Sequence, residues 1–271
     1  MAASGQRVVP PLGLGGRVAG VVTEDAGGAG ARRALRFGEA LRRLRDAQKT
    51  AKGVSLYSRY VNRPVGRVFA AAAYRAGLTP NQVTLLSAAF SYGAVAATAL
   101  CRPSWPLAIT VYAALVVGFA LDSADGQLAR LLGAGGPAGE WLDHVVDCAK
   151  ITAVHAAVLI TFYRHFALPG DGWLLLPLGF QFTAVMIFFG GLLTDKLKPK
   201  ARPGPPAPAP SRLRAVALLP VDYGVFCLVF LLLGSERAFR YGYLALFAVS
   251  ALFLAAFLTK WFRELRALPA R

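Results

Sequence analysis

Carboxylates are scarce in this sequence. Its 271 residues hold 14 Asp and Glu against 30 Lys and Arg, and charged residues of every kind make up only 16%. A soluble domain of this length carries more charge and does not need the 56% of hydrophobic residues found here. The composition points instead to an integral membrane protein. Cysteine is nearly absent too. Cys101, Cys148 and Cys227 stand alone in apolar surroundings with no CxxC spacing, which argues against a disulfide framework or a zinc site. The net charge of +16 raises the question of nucleic acid, but the basic residues are not interleaved with aromatics on a polar face. They flank apolar runs, as suits anionic lipid headgroups. The opening "MAASGQRVVPPLGLGG" lacks both a compact apolar region and a cleavage site, so no signal peptide is expected.

What the chain does have is long apolar stretches. Residues 1–50, rich in Gly, Ala and Arg, are expected to be a mostly disordered basic segment, with a short basic helix in "FGEALRRLRDAQK" from Phe37. Residues 51–78 are expected to form an amphipathic helix in the membrane interface. Arg63, Arg67 and Arg75 recur at spacings of four and eight and would face lipid phosphates. Gly77 ends that helix, and Thr79 with Pro80 opens the next. Six spans follow, near 82–101, 105–125, 139–163, 172–194, 213–234 and 239–261, each approaching the roughly 20 residues that cross a bilayer. The expected fold is therefore all-α: six transmembrane helices over 79–264, a juxtamembrane amphipathic helix, and a short tail at 265–271. "KLKPKARPGPPAPAPSRLR" reads as an extended, mobile linker. Basic residues set the orientation. Fourteen precede Asn81, six lie between Lys196 and Arg214, and four follow Thr259, whereas the opposite side holds only Arg102, Arg164, Arg237 and Arg240. Both termini are expected in the cytoplasm. The Arg-, Ala- and Gly-heavy composition suggests a bacterial plasma membrane.

Four of the fourteen carboxylates gather in "LDSADGQLARLLGAGGPAGEWLDHVVDCAK", residues 121–150. Asp122 and Asp125 are three apart, Asp143 and Asp147 four apart, and both spacings stack side chains on one helical face. A short glycine-rich connection would make the two helices antiparallel neighbours, so all four can meet at the membrane boundary. Unneutralised, they would repel one another in a poorly solvated place. Divalent cations solve this, and hard oxygen donors suit magnesium or manganese. Gly126 and Gly139 leave room for a bulky ligand, and Arg130 is placed to bind a phosphate. DxxDG alone is a weak signal. D-x-x-D-G-x-x-A-R, eight residues, then G-x-x-x-D-x-x-x-D is far more specific.

That pattern, carried by Asp122, Asp125, Gly126, Ala129, Arg130, Gly139, Asp143 and Asp147, resembles the signature of the CDP-alcohol phosphotransferase family. "LTPNQVT" looks like the TPNxxT element at the start of its first helix, and "SRYVNRPVGR" is similar to a subgroup making inositol-phosphate phosphodiesters. The resemblance implies a six-helix membrane enzyme that moves a phosphoryl-alcohol group from a CDP-linked donor, such as CDP-diacylglycerol, to an acceptor hydroxyl and releases CMP. It implies two divalent cations, Mg2+ or Mn2+. Asp122, Asp125 and Asp143 would be metal ligands, and Asp147 the general base and a further metal contact. Gly126, Ala129, Arg130 and Gly139 would lie along the nucleotide pocket. Homologous enzymes suggest a homodimer.

Other polar residues are open to two readings. Lys150 lies seven residues beyond Asp143, about 10 Å deeper at helical rise. It either pairs with Asp222 or binds an acceptor's phosphate, with Arg63 and Arg67 as further acceptor contacts. His155 reads as a hydrogen-bonded bundle residue, His165 as an outer-loop residue, and His144 as pointing away from Asp143. Two rival functions use the same features: a divalent-cation or proton-coupled transporter built on the carboxylates, and a membrane scaffold. The transporter predicts acids near the midplane on several helices, and here they cluster at one edge. The scaffold leaves the aspartate spacing unexplained.

Overall fold

Punctuation in the sequence decides where the helices of this computed structural model begin. It describes residues 37–46, 55–199 and 212–268. The expectations of disorder over 1–36 and of a mobile linker over 200–211 lie outside those residues, as do 47–54 and the last three of the tail. Helix α1 spans Phe37–Asp46. A π-turn at Ser58–Asn62 runs into α2, Arg63–Arg75. Helix α3, Pro80–Leu100, opens on a complete capping box: Thr79 accepts from the Gln82 amide and the Gln82 side chain accepts from the Thr79 amide. Ser104 caps α4, Trp105–Leu132, and α4 ends at Gly133, whose φ of 63° is the left-handed turn that glycine takes without strain. Pro137 then starts α5, Pro137–His165. Helix α6, Leu175–Leu197, is entered through a 3-10 turn at Asp171–Leu174.

Five helical segments among the described residues are long and apolar enough to cross a membrane: α3, α4, α5, Asp171–Leu197 and Glu236–Arg266, the last of which is α9. The sixth span expected over 213–234 is broken. It consists of α7, Arg212–Ala217, a 3-10 turn at Leu219–Val221, α8, Tyr223–Leu228, and a second 3-10 stretch at Val229–Gly234. Pro220 cannot continue a helix, and Asp222 starts a new one by accepting from the Gly224 amide at 2.8 Å. Only Tyr223–Gly234 remains as a short apolar run.

Lipid tails are as apolar as leucine, so close approach and interhelical hydrogen bonds hold membrane helices together. Helix α3 shows both and packs against α4 and α5. Ser87 donates to the Gly118 carbonyl at 2.8 Å, and a Cβ on Gly118 would come within 2.3 Å of the Ser91 hydroxyl. Thr161 of α5 donates to the Thr98 carbonyl at 2.7 Å. Helices α4 and α5, expected to be direct neighbours, barely touch. The small residues of α3 draw each of them closer than the two carboxylate-bearing faces can approach each other.

Helix α2 also departs from expectation. Its Gly66, Ala70, Ala71 and Ala73 are buried, and Gly66 lies so close to Ala120 and Ser123 of α4 that a Cβ would meet both at 2.9 Å. Ala40 and Leu44 of α1 complete this small core. The exposed side carries Val65 and Val68, while Arg63 and Arg67 are half-buried. The arginine stripe is thus turned partly inward, because the alanine face packs against α4. At the other end of the bundle Phe162, Phe230, Phe239 and Tyr243 form a fully buried aromatic core.

Candidate active site

The gap between α4 and α5, floored by the first turns of α3, is a cleft of about 690 Å³. Pro80, Asn81 and Thr84 line it from α3, Asp125, Gly126, Ala129 and Arg130 from α4, and Gly139, Glu140, Asp143 and His144 from α5. The Gly133–Pro137 turn closes one end. The capping box fixes the first turn of α3, and that turn delivers two side chains to the site. The Thr84 hydroxyl donates to Asp125 Oδ2 at 2.5 Å, and Asp125 Oδ1 accepts from the Gly126 amide at 2.5 Å. Asp125 is buried and held at both oxygens. Asn81 lies over Gly139, where a Cβ would stand 3.2 Å from Asn81 Oδ1. The Arg130 guanidinium lies along Gly126, 3.5 Å from where a Cβ would be.

Asp122 and Asp147 do not line the cleft. They turn to Lys150, whose ammonium sits 2.5 Å from Asp122 Oδ1 and 2.8 Å from Asp147 Oδ1. Lys150 is only 6% exposed. Its expected pairing with Asp222 is not made. Asp222 accepts from Ser55 and from Ser58, the latter at 2.6 Å, and caps α8. Two carboxylates on and beside its own helix are closer to Lys150 than Asp222 is free to be. The four aspartates are therefore split: Asp125 and Asp143 face the cleft, and Asp122 and Asp147 are bridged across the gap by Lys150.

His144 corrects another expectation. It does not stand apart from the acids: ligand atoms of Asp143, His144 and Asp147 lie within 4.8 Å of one another. The missed signal is spacing, since His144 is three residues before Asp147 and shares its face. Its Nε2 is also 3.8 Å from Glu140. His155 is a buried bundle residue as expected, its Nδ1 2.5 Å from the Tyr243 hydroxyl. His165 ends α5 rather than lying in a loop. Asn81 and Thr84 were legible only as part of the "LTPNQVT" element, and nothing in their spacing from the aspartates announced a contact.

Arg63, Arg67 and Lys150 are not among the residues lining the cleft. Arg63 stands behind it. Its backbone carbonyl accepts from Gln127 at 3.1 Å, and its charge acts on Arg130. Burial, and then the neighbouring Arg59, hold the Arg63 guanidinium below its ordinary pKa. The cleft thus holds both signs of charge: Arg130 stands on α4 beside Asp125, with Arg63 behind it, and Glu140 and Asp143 line it from α5.

The donor set suits a hard divalent cation. It is dominated by carboxylate oxygen, and one carboxylate is already oriented by a hydroxyl and an amide, the arrangement that second-shell groups provide around metal ligands. The residues fit such an ion, with Asp143, His144 and Asp147 nearest to one another and Asp125 across the cleft.

A family model of CDP-alcohol phosphatidyltransferases matches residues 77–261, more than half of the chain. The chain belongs to this family. It is thereby a membrane transferase of substituted phosphate groups, moving a phosphatidyl group from a CDP-linked donor in phospholipid synthesis. Family membership removes the transporter and scaffold alternatives. A crystal structure of Mycobacterium tuberculosis phosphatidylinositol phosphate synthase with CDP-DAG bound is similar at 20% identity, over 74% of this chain and 94% of that one, with a TM-score of 0.49. No curated protein sequence matches the chain. Members of the family generally use divalent cations, in keeping with the carboxylates of this CDP-alcohol phosphatidyltransferase cleft.

Proposed function

We propose that the cleft between α4 and α5 binds the nucleotide of CDP-diacylglycerol and passes its phosphatidyl group to the hydroxyl of a small acceptor, releasing CMP. One observation carries this reading: Asp125, Gly126, Ala129, Arg130, Gly139 and Asp143 surround a single cleft that opens between two membrane-length helices. A lipid donor can keep its acyl chains among the helices while its nucleotide reaches the carboxylates. Gly126, Ala129 and Gly139 give room for the cytidine diphosphate, and Arg130, with Arg63 behind it, offsets the phosphate charge. Asp122, Asp125, Asp143 and Asp147 would hold two divalent cations, Mg2+ or Mn2+. When bound, these neutralise the diphosphate and the leaving CMP. Asp147 takes the proton from the acceptor hydroxyl through its carboxylate oxygen. Its neighbour His144 and the Thr84–Asp125 contact keep the acidic wall in place.

The acceptor belongs to the class of polar alcohols, and a phosphorylated one would draw on Arg63 behind the cleft and on Lys150 once its ammonium leaves Asp122 or Asp147. Helix direction puts the aspartates at the end that also carries Lys196, Lys198, Lys260 and Arg263, opposite Arg102, Arg164 and Arg237. By the excess of positive charge that end is cytoplasmic, in a bacterial plasma membrane. The test is CMP release by the purified protein in lipid with Mg2+ or Mn2+. CDP-diacylglycerol would be supplied with inositol phosphate, glycerol phosphate, phosphatidylglycerol or serine, one at a time. Release that depends on one acceptor supports the reading and names the product. Release only with a CDP-headgroup and diacylglycerol would reverse the roles of lipid and headgroup.

A further inference from the structure

A lysine inside a membrane bundle needs a counter-charge, and Lys150 has two within 2.8 Å. We infer that Lys150 is a built-in counter-cation. Its ammonium holds Asp122 and Asp147 together while no divalent ion is bound, and an incoming ion competes with it for these carboxylates. The inference rests on the reading of the aspartates as a cation centre and adds to it a residue that sets how tightly the ion is held.

The geometry supports competition rather than cooperation. Lys150 takes one oxygen from each carboxylate, Asp122 Oδ1 on α4 and Asp147 Oδ1 on α5, across a gap where the two helices barely touch. It thereby keeps the acidic wall assembled, since four carboxylates with no cation would drive α4 and α5 apart. An ion using the same two residues would have the ammonium as a near neighbour. In a partly buried site that repulsion is worth a substantial loss of affinity. The ammonium must give up at least one partner for the ion to enter. Asp222 does not offer it a replacement, being committed to Ser55, Ser58 and Gly224. An anionic substrate phosphate would give the displaced ammonium a new partner. Cation and anionic substrate would then favour each other's binding, a coupling that works in both directions.

The experiment is Mn2+ binding to the purified full-length chain without substrate, by calorimetry, with thermal unfolding followed in EDTA and in Mn2+. Lys150→Met is expected to bind Mn2+ roughly tenfold or more tighter than wild type. In EDTA it should melt several degrees lower, and adding Mn2+ should close that gap. Lys150→Arg, which keeps the charge, stays near wild type in both. If Lys150→Met does not fold, Lys150→Gln carries the same expectation, because it keeps a hydrogen-bonding group and drops the charge. Equal or weaker Mn2+ binding in the uncharged variants, or unchanged melting in EDTA, would overturn the inference. Failure of the underlying reading looks different: wild type would take up no Mn2+, or Asp143→Asn would bind it as well as wild type.

Discussion

At the scale of single residues, the site is decided by which carboxylates are held and by what. Thr84 and the Gly126 amide fix both oxygens of Asp125. Replacing Thr84 by Val should lower metal affinity roughly 10- to 100-fold, the range found for lost outer-shell partners, while Thr84→Ser should recover most of it. A titration of activity against Mg2+ or Mn2+ concentration reads this directly. Asp147→Asn should cut the rate of CMP release by about 10²–10⁴, the usual contribution of a general base. Full activity in that variant would remove Asp147 from the role. Six of the eight signature positions line one cleft, and the 3.6-residue turn explains why those on one helix share a face. The expected convergence of all four aspartates fails for Asp122 and Asp147, which turn to Lys150. Thr84 as the partner of Asp125, and Lys150 as the bridge of Asp122 and Asp147, were not legible in the sequence. Both contacts join different helices, and no periodicity within one helix reports which neighbour it will face.

At the scale of elements, small residues do the positioning. Gly118 lets α3 and α4 approach until Ser87 bonds its carbonyl. A valine there would collide with Ser91 and the Ser87 backbone, so Gly118→Val should destabilise the bundle by about 1–3 kcal/mol, the usual cost of overpacking. Loss of heat stability in detergent is the readout. The broken segment Arg212–Gly234 is held differently. Buried Asp222 caps α8 and receives Ser55 and Ser58 from the segment before α2. Asp222→Ala should therefore cost about 2 kcal/mol through unpaired buried groups. The protein that remains folded should keep its Mn2+ affinity, since Asp222 does not touch Lys150. A large change in Mn2+ affinity in that variant would restore the Lys150–Asp222 pairing that the structure lacks. The start of α3 was readable at Thr79 and Pro80, where a cap and a proline are local signals. The break at Pro220 and Asp222 was written in the sequence too, but an apolar run of span length outweighed it. The inward turn of α2 depends on a complementary alanine-sized groove on α4, which only packing reveals.

At the scale of the whole molecule, five membrane-length helices set one cleft lined by carboxylates and Arg130 at one end of a bundle, with an aromatic core at the other. Family membership gives the reaction. If this cleft carries it out, Asp125 and Asp143 are indispensable there. The direct measurement is acceptor-dependent CMP release from CDP-diacylglycerol, with wild type, Asp125→Asn and Asp143→Asn compared at equal amounts of folded protein and in saturating Mn2+. The account predicts robust release by wild type, abolished by EDTA, and a loss of at least about 10² in each variant. Release at the wild-type rate by either variant would contradict it and place the chemistry elsewhere in the molecule.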